Sequence, residues 1–309
     1  MSFDLKHIPS QKDKNAIVTG ANTGLGYETT IGLAKKDVKV IMACRNKEKA
    51  QKAKTDILDI LPEADLEIMH LDLSSLSSIK KFAEGFKERF EKLDLLINNA
   101  GVMVPPYSTT EDGFELQFGV NYLGHFTLTA LLIDHMPDNS DSRVVSLSSN
   151  AHKRGQLHFG NLQWEQDYDR RKAYSQSKLA CLMFGDELDR RLKAGGKKIL
   201  SVSAHPGVSP TDLGRHIPAF LYNLLKFTLI PFVSHSPKKG ALPTLQAALG
   251  PNVNGGDYYG PQGFNEMKGA PGLAERAKVA KDREAAKKLW DVSEVLTGVE
   301  FEIRPNKNH

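Results

Sequence analysis

The chain has 309 residues, 40% of them hydrophobic and 25% charged, and its 41 basic and 37 acidic residues leave a formal charge of +4. That is ordinary globular composition, long enough to bury a sizeable core as one large α/β domain or two small ones. The small basic excess suits an anionic cofactor and argues against a nucleic-acid tail, because Lys35-Lys36, Lys197-Lys198 and Lys238-Lys239 are short and scattered.

Residues 1–14 are polar and carry no apolar signal segment, which points to a cytoplasmic address. Cys44 and Cys181 have no metal spacing and cannot build a disulfide framework, so a reducing compartment fits and no metal site is expected. Short apolar runs then alternate with helix-length segments. Strands are expected at 16–18, 38–43, 66–70, 93–98, 143–148 and 199–204, with 255–259 as a candidate last strand. Helices are expected at 24–36, 47–61, 77–90, 113–135 and 173–193. Continuous apolar strands alternating with helices imply a parallel sheet covered on both faces, an α/β Rossmann-type doubly wound fold.

No linker or repeat divides the chain, so we read a single domain. Its core is 12–260, with a polar and aromatic loop at 152–171 and a substrate lid at 211–240 whose stretch 217–233 is strongly apolar. A charged extension at 261–309 reads as helical, with Lys287-Lys288-Leu289-Trp290 on the last helix.

Strand one runs into Gly20-Ala21-Asn22-Thr23-Gly24-Leu25-Gly26 and then a helix. Glycines permit a tight turn and close approach to a pyrophosphate, and the helix offers its N-terminal amides to the negative charge. About twenty residues on, an acid would hold a ribose 2′-hydroxyl for NAD. The sequence there is Cys44-Arg45-Asn46, and a guanidinium suits a 2′-phosphate, which favours NADP(H) over NAD(H). Asp72, before Leu73 at the end of strand three, is placed for an adenine amino group. A helix N-cap is the competing role, which Ser74 could also fill.

Tyr174 and Lys178 stand four apart on a helix and therefore share a face. An adjacent ammonium favours the phenolate and brings a phenol toward acid–base work. That pair is weak alone. In order, however, the chain carries the glycine loop, Asn98-Asn99-Ala100-Gly101, Asn121, Ser148-Ser149, the Tyr/Lys pair and Pro206-Gly207. With these motifs it resembles the short-chain dehydrogenase/reductase family over residues 12–260.

The resemblance implies a Ser149–Tyr174–Lys178–Asn121 tetrad. Tyr174 would be the general acid as hydride reaches a carbonyl carbon, and the base in the reverse direction. Lys178 would lower the Tyr174 pKa and bind the nicotinamide ribose. Ser149, rather than Ser148, would hold the substrate oxygen, and Asn121 would fix a water joining Lys178 to solvent. Asn99, Ala100 and Gly101 would line the adenosine side, and Pro206, Gly207, Val208 and Thr211 would cover the nicotinamide. His205 reads as a plain strand-end residue.

Within the family, Ala43-Cys44-Arg45-Asn46, Leu71-Asp72-Leu73-Ser74-Ser75, Asn121-Tyr122-Leu123-Gly124-His125-Phe126 and His205-Pro206-Gly207-Val208 look like the branch of retinol dehydrogenases and WW-domain oxidoreductases. The 25-residue separation of Ser149 from Tyr174 does too, and that branch commonly uses NADP(H). Light-dependent protochlorophyllide reductases share some phrases, but their internal insertion and active-site cysteine have no counterpart here.

Stretch 217–233 is too short and too interrupted, by Pro218, Lys226 and Pro231, to span a bilayer. A lid over an apolar pocket, a face on a membrane surface and a subunit contact stay open. The expected partner is a lipophilic or aromatic carbonyl or alcohol, with no nucleic acid. A homo-oligomer is common in the family, although the C-terminal segment could cover the usual contact faces. Two other classes compete, a non-catalytic NADP(H)-sensing regulator and a partner-binding protein using its charged C-terminal helices. The intact tetrad argues against the first.

Overall fold

The computed structural model describes residues 3–207 and 236–303. Eight strands form one sheet among the described residues: β1 (Asn15–Thr19), β2 (Lys39–Cys44), β3 (Leu66–His70), β4 (Leu95–Asn98), β5 (Arg143–Leu147), β6 (Leu200–Ala204), β7 (Tyr258–Pro261) and β8 (Pro271–Leu273). Their spatial order is β3-β2-β1-β4-β5-β6-β7-β8, parallel throughout except for the β7–β8 hairpin. The order reverses between β1 and β4, and ligands of open α/β sheets bind outside the carboxyl ends of the strands at such a point.

Helices α1 (Gly24–Ala34), α2 (Lys47–Leu58) and α3 (Leu76–Arg89) follow the first three strands. Apolar side chains pack on both faces of the sheet. One face is centred on Val18, Val40, Leu95 and Val202, the other on Ile17, Ile41, Leu96 and Val144. Neighbouring residues of a strand point to opposite faces, so fully apolar strands must be covered twice.

Three segments differ from the sequence expectation. The helix expected at 113–135 is broken into α4 (Leu116–Phe118), a π-helical turn (Gly119–Leu123), α5 (Gly124–Leu132) and a closing 3-10 turn (Ile133–His135). A π turn inserts a residue into the helical ladder and re-aims a side chain, here Asn121. The last parallel strand begins at Tyr258 and not at 255, because Asn254 and Asp257 close a turn through Asn254 N to Asp257 Oδ2 at 2.8 Å.

Residues 261–275 form a hairpin, with β8 only three residues long, where a helical pattern is expected. The helices resume with α9, Arg283–Thr297, which carries Trp290 as expected. Before the hairpin lie α7 (Pro237–Gly240) and α8 (Leu242–Leu249), and the longest helix among the described residues is α6, Arg170–Ala194. Most of the lid expectation, residues 211–235 including 217–233, lies outside the described residues. No helix among the described residues is long and apolar enough to cross a membrane.

Candidate active site

The glycine loop leaves the C-terminal end of β1 with Gly20 at φ 66°, left-handed backbone that favours glycine. A side chain at Gly26 would strike the Gly20 carbonyl and the Asn99 amide, so the loop folds back on itself at that point. Thr23 occupies the N-cap of α1 but its side chain makes no capping bond, and no acidic residue sits in the first turn. The first amides of α1 are thus left for an anion. Thr23 and Gly24 are exposed, and Asn22 and Leu25 half-exposed, so the loop is open to a ligand. Beneath it, the amides of Ala21 and Asn22 hydrogen-bond the Cys44 thiol, which burial pushes up to about 11.

Asn99 ties this loop to β4. Its Nδ2 donates to the Thr19 carbonyl at 2.7 Å, and the amides of Asn99 and Ala100 both donate to Thr19 Oγ1 at 2.9 Å. Asn99 Oδ1 is buried with no donor among the described residues, a second unsatisfied polar group in the cradle. An open Gly-rich turn, uncapped helix amides and this acceptor together fit a dinucleotide.

Arg45, at the end of β2, is 68% exposed and stands 3.9 Å from Asp72 Oδ2. Asn46 caps α2, its Oδ1 accepting from Lys49 N at 2.8 Å. Asp72 Oδ1 accepts from the Ser74 amide at 2.9 Å and hydroxyl at 2.6 Å. The N-cap of α3 is Ser75, neither Asp72 nor Ser74, so the capping alternative for Asp72 falls. Leu73 is buried, and its carbonyl lies against Gly124 at the start of α5.

Asn121, on the π turn, binds both backbone groups of Val102, accepting from its N at 2.7 Å and donating to its O at 3.0 Å. Its Nδ2 also donates to Ser177 Oγ at 3.0 Å, and Ser177 donates to the Tyr174 carbonyl at 2.9 Å. Ser177 therefore joins the Asn121 turn to the helix that carries Tyr174 and Lys178, a role with no mark in the sequence. Lys178, 6% exposed, donates Nζ to the Leu147 carbonyl at 3.0 Å. A Cβ placed on Gly101 would lie 3.6 Å from that Nζ and 3.1 Å from Asn121 Oδ1, so Asn121, Lys178 and Gly101 meet at one place. Tyr174 is half-buried on α6.

Of the two serines, Ser148 is buried and donates to the Lys178 carbonyl at 2.8 Å. Ser149 is half-buried and caps the 3-10 turn Asn150–Arg154, its Oγ accepting from Ala151 N at 3.1 Å. An acceptor bond of that kind leaves the Ser149 proton for another oxygen. Pro206 and Gly207 follow β6; Val208 and Thr211 lie outside the described residues.

Three further residues join the site. His125 Nδ1 donates to the Asn121 carbonyl at 2.9 Å, and its Nε2 then accepts from Thr19 Oγ1 at 2.9 Å. Full burial lowers its pKa to about 4, so this link between the π turn and the glycine-loop strand is neutral. His152 donates Nδ1 to the Ser149 carbonyl at 2.7 Å and accepts at Nε2 from Ala277 N at 3.2 Å. His205 is fully buried, its Nε2 3.3 Å from Glu266 Oε2, which is more than a plain strand end. The spacing of these histidines from the motifs carries no signal, since Thr19, Ala277 and Glu266, which complete their bonding, lie in distant segments.

The short chain dehydrogenase family model matches residues 14–220. Human retinol dehydrogenase 13 is 42% identical over 293 residues, covering 93% of this chain and 85% of that protein. A crystal structure of an uncharacterised Mycobacterium paratuberculosis protein superposes with a TM-score of 0.82 at 38% identity, covering 98% of this chain and all of that one. A Shigella flexneri short chain dehydrogenase crystallised with NADP shares the fold at a TM-score of 0.61 and 20% identity, covering 80% of this chain and 96% of that one.

Proposed function

The chain belongs to the short chain dehydrogenase family of oxidoreductases, and on that premise we propose that it is an NADP(H)-dependent enzyme interconverting a lipophilic or aromatic carbonyl and its alcohol. The observation that carries the reading is the meeting of Asn121, Lys178 and Gly101 at the carboxyl ends of β4 and β5, beside the glycine loop. Bound NADPH would supply the hydride.

The protein's own groups do the rest. Ser149 holds the carbonyl oxygen with its free proton and stabilises the charge that develops there. Tyr174 donates its phenolic proton to that oxygen, and in the reverse direction withdraws it. Lys178, held by Leu147 O and one helical turn from Tyr174, favours the phenolate by its charge. Asn121, locked by Val102 and Ser177, stands where a water could link Lys178 to solvent.

Arg45, exposed at the end of β2, supports a 2′-phosphate and hence NADP(H). The likeness to a protein named retinol dehydrogenase supports a lipophilic alcohol or aldehyde as substrate. Two buried, reduced cysteines support the cytoplasmic address.

The test is NADPH consumption over a panel of retinoid, steroid and aromatic carbonyls. We expect turnover of at least one lipophilic member. Tyr174→Phe should remove it, a fall of about 10³-fold or more, while NADPH affinity stays near wild type. Turnover that survives Tyr174→Phe would overturn the mechanism.

A further inference from the structure

We propose that Glu266, in the hairpin between β7 and β8, is a positioning residue that clasps the Ser149 turn to the end of β6 and so sets where Ser149 stands. The proposal rests on the reading of Ser149 as the group that holds the substrate oxygen.

Asn265 and Glu266 both adopt left-handed backbone, φ 49° and 54°. Glutamate enters that region only where its surroundings over-determine it. Here they do, through three separate segments. Glu266 Oε1 accepts from Glu275 N at 2.7 Å, which closes the hairpin on itself. Oε2 accepts from Lys153 Nζ at 2.9 Å, and the Glu266 carbonyl accepts from Asn150 Nδ2 at 3.1 Å. Asn150 and Lys153 both belong to the 3-10 turn that Ser149 caps.

Oε2 also faces His205 Nε2 at 3.3 Å. Gly207 N donates to His205 Nδ1 at 3.2 Å, so the ring proton sits on Nε2 and points at the carboxylate. His205 leads directly into Pro206-Gly207, and a side chain on Gly207 would collide with the Met267 carbonyl of the same hairpin. The hairpin is thus wedged between the Ser149 turn and the Gly207 backbone, with one carboxylate bonded to Lys153 of that turn and facing His205 two residues before Gly207.

The carboxylate is only 14% exposed, so water screens it little. Burial pulls its pKa up, but His205, the Glu275 amide and Lys153 outweigh burial and hold it at about 2. It stays charged across the physiological range. His152 adds a second tie, since it joins the Ser149 carbonyl to Ala277 just beyond β8. The C-terminal extension therefore holds the Ser149 turn at both its side chains and its backbone.

The test uses the full chain saturated with NADPH, in two variants. In Glu266→Gln the charge is lost and, whichever way the amide turns, its NH2 meets a donor, either Glu275 N or the Lys153 and His205 pair, so the clasp is weakened. Lys153→Met removes one partner from a partly exposed position and leaves the hairpin intact. We expect amide hydrogen exchange over residues 149–155 to rise about tenfold in Glu266→Gln, with a smaller rise in Lys153→Met. The kcat for reduction of para-nitrobenzaldehyde should fall about tenfold, with NADPH affinity within about twofold of wild type. The double variant should fall short of the sum of the two single effects, because the Lys153 link is one that both variants weaken.

Unchanged exchange over 149–155 in Glu266→Gln overturns the proposal. So does a fall in kcat matched by an equal loss of NADPH affinity or by a lowered Tm, which marks a merely structural ion pair. A wild-type protein that does not reduce the aldehyde counts against the proposed reaction, whereas the exchange measurement still decides the clasp.

Discussion

At pH 7 His125 and His152 are both neutral in the folded chain, because burial lowers each pKa to about 4 from the usual 6.5. In the unfolded chain both protonate near pH 6.5. As pH falls from 6.5 toward 4 the unfolded state takes up protons that the folded state refuses, so stability present above pH 6.5 is lost over that window. The loss is about 3 kcal/mol per histidine, and flat below pH 4. Chemical denaturation at pH 7.5 and pH 5 should show the fall, and His125→Gln with His152→Gln should flatten it.

Arg45 makes a different kind of prediction. Its guanidinium is exposed and only 3.9 Å from one carboxylate oxygen, so it has donors to spare for a phosphate. Arg45→Ala should weaken NADPH about 10- to 100-fold and leave NADH nearly unchanged, measured by nucleotide fluorescence. Equal binding of both nucleotides by the wild type would refute the preference. The position of Arg45, just past the end of strand two, was legible in the sequence because it is fixed by chain order. His125, His152 and Glu266 were not, since each acts on groups of other segments, between 3 and 125 residues away.

At the scale of elements, the succession of strands along the chain and their alternation with helices could be read from apolar runs, because a strand buried on both faces is apolar along most of its length. Breaks inside elements could not. The π turn at Gly119–Leu123 comes from tertiary demand on Asn121, whose side chain takes both backbone bonds of Val102. Periodicity over 113–135 reports an apolar face and is blind to a register shift within it. The hairpin at 261–275 was masked in the same way, as β8 has three residues and begins with proline. The glycine loop was legible as an element, and it carries a sharp prediction. Gly26→Ala puts a methyl group into the Gly20 carbonyl, so NADPH affinity should fall by at least about tenfold and Tm with it. Near-normal binding by this variant would mean that the loop can open without cost.

Over the whole molecule, the C-terminal segment completes the core that α5 and α6 begin. Trp290 on α9 packs edge-on to Phe126 at 5.2 Å and stacks on Phe184 at 5.8 Å, with Phe301 at 4.5 Å beyond it. The Arg191 guanidinium lies 4.3 Å over its ring, and Tyr122 shares a 2.7 Å hydrogen bond with Ser293. Trp290→Ala should cost about 3–5 kcal/mol and lower Tm by roughly 10 °C in a thermal melt. A change of only a degree or two would mean that α9 is a loosely attached flap. The sequence placed Trp290 on a last helix but gave no face for it to cover, because that face is made from residues 122 to 191.

This arrangement also dictates an order of events during synthesis. Phe126 and Phe184 emerge from the ribosome more than a hundred residues before Trp290 and Phe301 can cover them. Closure of that face is therefore a late, long-range step, slow by its sequence separation and exposed to misassociation while it waits. A stalled or truncated chain ending before residue 283 would present an aromatic surface to whatever lies nearby. For this protein the quality-control machinery of the cell should recognise incompleteness by that surface.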